Sequence, residues 1–87
     1  MKVIIVKDIV RKDIPIYYRQ LYTGVATIEL TKNTADYRVD FCIETKPTGK
    51  REISLSFLDE VDYPLIPVIK ELKKIIETMD ENGALPD

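Results

Sequence analysis

Between Val25 and Leu58 apolar side chains return at every second residue, and from Leu65 onward at every third or fourth. That change of period constrains the chain more than any other feature. Period two marks a strand with one buried face, and period 3.6 marks an amphipathic helix. In Val25–Thr31, Ala26, Ile28 and Leu30 oppose Thr27, Glu29 and Thr31. In Tyr37–Thr45, Tyr37, Val39, Phe41 and Ile43 oppose Arg38, Asp40, Cys42 and Glu44. In Arg51–Leu58, Ile53, Leu55 and Phe57 oppose Glu52, Ser54 and Ser56. Each stretch has one apolar and one polar side, as an antiparallel sheet covered on one face requires. The "KPTGK" of Lys46–Lys50 reads as a hairpin turn, with Pro47 presetting φ and Gly49 supplying a positive φ.

Leu65, Val68, Ile69, Leu72, Ile75, Ile76 and Met79 make a single helical stripe that suits the apolar face of that sheet. Asp59, Glu60 and Asp62 precede it, where the helix dipole favours negative charge. Pro64 or Pro67 suits the first turn. Gly83 reads as the left-handed residue beyond the end, with Leu85 folding back on the last turn and Pro86 following.

The first quarter is harder to place. Met1–Lys7 is β-branched enough for a strand, and simple alternation puts Val3 and Val6 on opposite faces, as it does Ile4 and Ile5. A strand apolar on both faces is either covered twice or lies between subunits. Val3, Ile4, Ile5 and Val6 are therefore the candidate dimer contact. In "DIPIYYRQLYTG", Asp13–Gly24, strand alternation is poor. Ile14, Tyr17, Tyr18, Leu21 and Tyr22 instead fall on one helical stripe, with Asp13 as N-cap and Gly24 past the end. A short helix over 14–22 is the preferred reading, its tyrosines packing inward, and a bent strand is the alternative. The expected fold is one α+β domain over 1–87: an antiparallel sheet of about four strands with a long C-terminal amphipathic helix packed on one face.

The chemistry is bounded by what is missing. No histidine is present, which removes the commonest general base near neutral pH and the commonest transition-metal ligand. The single cysteine, Cys42, shares a strand face with Arg38, Asp40 and Glu44 and has no base to activate it. "PTGK" lacks both the upstream glycine and the following hydroxyl of a phosphate-binding loop. "DEVD" at Asp59–Asp62 lacks calcium-loop spacing, and an acidic helix start accounts for it. These readings point to no enzyme, no cofactor and no metal. One unpaired cysteine, the absence of a small-residue cleavage pattern and an apolar run no longer than "VIIV" give a cytoplasmic expectation without membrane contact.

Charge is unevenly placed. Residues 1–51 hold ten Lys and Arg against six Asp and Glu, and residues 52–87 hold three against nine. Arg19, Arg38, Lys46, Lys50 and Arg51, interleaved with tyrosines, are the candidate contacts for a partner or for nucleic acid. Lys70, Lys73 and Lys74 form a second basic strip on the helix. Acidic residues on the same sheet face and a pI near 5.1 oppose a nucleic-acid role.

Four strands followed by a helix, with "KREISLSFLD" as the last strand, resemble the dimerising purine-rich-element-binding type of single-stranded nucleic-acid module. With a helix at 14–22, the α-β-β-β-α order is similar to double-stranded RNA-binding domains. Those carry basic residues where this chain has Asp59, Glu60 and Asp62. The leading expectation is a non-enzymatic protein-interaction module, self-associating as a homodimer, with an unidentified protein partner. The alternative is a weak single-stranded nucleic-acid binder of the purine-rich-element-binding topology.

Overall fold

The structure, a computed structural model, describes residues 2–61 and 64–86, with the side chain of Ile4 left outside the description. Four strands precede one helix: β1 Lys2–Lys12, β2 Arg19–Glu29, β3 Thr34–Thr45, β4 Arg51–Phe57 and α1 Leu65–Glu81. The strands form an antiparallel meander in the order β1-β2-β3-β4, so β1 and β4 are the two edges. The sheet curls into a half-barrel around α1, whose backbone lies close to both edge strands.

The core sits between the concave sheet face and the helix stripe. Val3, Val6, Ala26, Ile28 and Val39 pack with Val68 and Leu72. Tyr22, Phe41 and Ile43 pack with Ile76, the Tyr22 and Phe41 rings stacked with centroids 5.0 Å apart. The helix ends as the amino-acid order leads one to expect. Gly83 is left-handed at φ 67°, the Ala84 N–H donates to Met79 O and the Gly83 N–H to Asp80 O, and Leu85 packs beside Ile76. At the β3–β4 hairpin the Gly49 N–H donates to Lys46 O, with Gly49 at φ 87°.

Three expectations are corrected. No helix forms over 14–22. Residues 13–18 are a connection, and from Arg19 the chain is β2, registered against β3 from Arg19↔Glu44 to Glu29↔Thr34. A central strand gains ladder bonds on both sides, which outweighs the helical spacing of five side chains that are middling helix formers. Gly24 is therefore not a helix cap but a buried strand residue. With that helix gone, the α-β-β-β-α order goes too.

The second correction concerns β1. Its register with β2 shifts between Val3 and Ile5 and again between Lys7 and Val10, where Asp8 takes a left-handed φ of 52°. The first irregularity turns Val3 and Val6 to the same side, and both are 4% exposed in the core. Ile5 points to the other face at 49% exposure. Val3 and Val6 are thus covered by the chain's own helix and do not form an outward dimer contact.

The third concerns the acids ahead of the helix. Pro64 occupies the N-cap without a side-chain bond, and the first turn holds no acidic residue. Asp59 instead accepts the Arg38 backbone N–H at 2.8 Å and the Arg38 Nη2 at 2.7 Å, pinning the end of β4 to the start of β3. Asp62 lies outside the described residues.

Candidate functional site

The β1–β2 connection and the β3–β4 hairpin meet at one end of the sheet. The Thr45 N–H donates to Tyr18 O at 2.8 Å, extending the β2–β3 pairing by one step, and the Arg19 N–H closes a turn onto Ile16 O. This corner fixes the backbone of Tyr17 and Tyr18 beside Pro47. Their rings meet edge to face, centroids 5.5 Å apart, with Tyr17 98% and Tyr18 44% exposed. Together with Glu44, Thr45, Lys46 and Pro47 they line a cleft of about 620 Å³. A smaller hollow adjoins it across Glu44, lined by Arg19, Cys42, Glu52 and Ser54. The inward packing expected for Tyr17 and Tyr18 is corrected, whereas Tyr22 is buried.

The charges bordering this cleft are paired. Arg19 Nε donates to Glu44 Oε1 at 2.9 Å, and Lys46 pairs with Glu52. These contacts raise the Arg19 and Lys46 pKa values and lower that of Glu52, with hydrogen bonding the largest cause in each case. Arg51 binds both carboxylate oxygens of Asp80 at 2.7 and 2.9 Å, and also Gln20 Oε1 and Thr45 Oγ1. One guanidinium thus joins β2, β3, β4 and the end of α1. Arg38 is taken up by Asp59. Of the five basic candidates, Lys50 has no ion pair among the described residues, and it stands exposed on the hairpin. The basic first part and acidic second part of the chain satisfy each other internally through Arg38–Asp59, Lys46–Glu52 and Arg51–Asp80.

These pairs set an acid limit. Hydrogen bonds from Arg38 hold Asp59 below the ordinary carboxylate range, Thr27 and then Lys7 do so for Asp36, and Lys46 does so for Glu52. A carboxylate with a lowered folded pKa stabilises the fold above its unfolded value, near 4, and loses that contribution as pH falls through the folded value. Thermal melts followed by circular dichroism are expected to show Tm falling as pH drops below about 4. In Asp59→Asn that acid-side fall is shallower. An unchanged acid limb in the variant would contradict the assignment.

The basic candidates are spread over several ion pairs, whereas the aromatic cleft is built from two tyrosines and a hairpin. Asp13, Pro15 and the adjacent tyrosines carried a usable signal, since a proline between apolar residues suits a connection as well as a helix start. Asp40, on the polar face of β3, has its Oδ1 buried without a hydrogen-bond partner, between Thr23 and Ser56 in register. Among the described residues no group of His, Cys, Asp and Glu is arranged to hold a metal ion, and no helix is long and apolar enough to cross a membrane.

The model of the BB-0187 family matches residues 1–81, nearly the whole chain, and the protein belongs to that family. No curated protein and no solved structure matches it.

Proposed function

We propose that this member of the family is a non-enzymatic interaction module that takes an extended, apolar, proline-containing protein segment into the Tyr17–Tyr18–Pro47 cleft. The observation that carries the reading is the exposure of the two rings in a cleft whose bordering charges are already paired. Aromatic-lined grooves bind proline-rich segments because the preformed polyproline helix loses little entropy on docking. A partner with its own strong charge would have to displace Glu44 from Arg19 or Glu52 from Lys46. A neutral segment needs no such exchange. A cytoplasmic location belongs to the same proposal, supported by the partly buried free thiol of Cys42.

The second reading, single-stranded nucleic acid, draws support from the same exposed ring, because bases stack on aromatic platforms. It requires phosphates to compete with the carboxylates on Arg19, Lys46 and Arg51. Fluorescence titration with a labelled polyproline peptide and with an oligothymidylate, at low and high salt, separates the two. Peptide binding that weakens at least about tenfold in Tyr17→Ala, with an unchanged Tm, is expected. Salt-sensitive oligonucleotide binding without peptide binding transfers the site to the second reading. Binding of neither removes the cleft.

A further inference from the structure

The two edges of the sheet are finished differently. On the helix side of β1, Val3 and Val6 are 4% exposed, with Ile9 half-buried beside them. On the helix side of β4, Ile53, Leu55 and Phe57 remain half-buried, although their register partners Ile43, Phe41 and Val39 on β3 are 0–1% exposed. The core is closed further along β1 than along β4, none of whose residues is fully buried.

The backbone shows the same asymmetry. The bonds from Lys46 N–H to Lys50 O and from Leu58 N–H to Arg38 O bracket the β3–β4 ladder. In this register, they direct the N–H and C=O groups of the even-numbered β4 residues at β3. Arg51, Ile53, Leu55 and Phe57 direct theirs outward, and no other backbone segment among the described residues bonds to them. Folded proteins defend such edges with bulges, lysines and prolines. Strand β1 has two register irregularities and carries Lys2, Lys7, Arg11 and Lys12. Strand β4, "REISLSF", has no lysine, proline or bulge, and its two charges are held by Asp80 and Lys46.

We propose that β4 is the self-association edge of this protein: two copies pair antiparallel through it, about a two-fold axis at Ser54. Symmetric pairing needs a self-complementary strand. At this register the outward backbone groups of Ile53 meet those of Leu55 in the second copy, and Arg51 meets Phe57. On the open face Ser54 meets Ser54 and Glu52 meets Ser56, so no like charges face each other. Pairing through β1 would instead gather its lysines and arginine. The second copy extends the sheet and covers the half-buried Ile53, Leu55 and Phe57. The proposal is independent of the aromatic cleft, none of whose lining residues lies on β4.

Sedimentation equilibrium of the full chain at roughly 100 µM is expected to show a dimer, a concentration far above a micromolar Kd. Ser54→Lys, on an exposed side chain, is expected to raise that Kd at least about tenfold while leaving unchanged the Tm measured at a concentration below the wild-type Kd, where both proteins are monomeric. Facing residues at a non-hydrogen-bonded position lie about 4.5 Å apart at Cα, within disulfide reach. Cys42 sits opposite Ser54 on its own sheet, so the cross-link is made in a Cys42→Ala background. There, Ser54→Cys is expected to oxidise to a covalent dimer and Ser56→Cys to remain monomeric. A monomeric wild type, a Ser54→Lys protein that dimerises unchanged, or equal cross-linking of the two cysteine variants overturns the proposal. If Ser54→Lys fails to fold, the cysteine pair still decides it.

Discussion

Phe41→Ala is expected to lower stability by about 3–5 kcal/mol, measured as the shift of a urea or thermal unfolding transition. Phe41 is 1% exposed at the centre of β3, stacked on Tyr22 and grouped with Ile43 and Ile76. Removing the ring forfeits its burial and leaves a void. Three of the four groups in this cluster sit on paired strands that cannot close in without breaking their ladders. A domain of this size has only about 4–13 kcal/mol in total, so the loss is a large fraction of it. The variant is expected to be partly unfolded at 37 °C. A loss below about 1 kcal/mol would mean that Phe41 is not in a packed core.

Gly24→Val is expected to be the second most damaging, at about 1–3 kcal/mol, in the same unfolding assay. Strand propensity alone favours the opposite result, since valine is a good strand former and glycine a poor one. The obstacle is β1. A Cβ built on Gly24 lies 3.3 Å from Lys7 O, 3.4 Å from Ile9 Cγ1 and 3.6 Å from Val6 Cγ1. The nearest of these is backbone, held in the register irregularity around Asp8, and it cannot rotate aside. The glycine permits close approach of β1 rather than a left-handed cap. A stabilised Gly24→Val protein would show that β1 does not cross there.

The elements legible from the amino-acid order were those whose burial is one-sided. Val39, Phe41 and Ile43 alternate because β3 is covered on one face, and Val68, Leu72 and Ile76 recur at helical spacing because α1 is too. β1 failed for a physical reason. Its irregularities reset the phase of alternation between Val3 and Ile5, and a bulge is defined by the partner strand, which no local pattern reports. Residues 13–24 failed because the apparent stripe joined two structures, a connection that exposes Tyr17 and Tyr18 and a strand that buries Tyr22. The cleft was partly legible: its tyrosines were singled out, but their partners Glu44 to Pro47 come from a hairpin more than twenty residues away. The ion pairs of the basic candidates were not legible because charge counts along a chain do not reveal which arginine meets which carboxylate across a sheet. Asp80 reaches Arg51 only when α1 folds back on β4.

The meander order has a consequence for how the chain comes to be folded. Each hairpin can form as soon as its two strands exist, since every strand pairs with its neighbour in sequence. The concave face cannot be covered until the last element arrives, because Val68, Leu72 and Ile76 all lie on α1. A nascent chain that has completed β4 therefore presents Ile28, Phe41 and Ile43 to solvent along with two open edges. During synthesis this sheet waits for its helix, and that interval is when it is most exposed to aggregation and to chaperones.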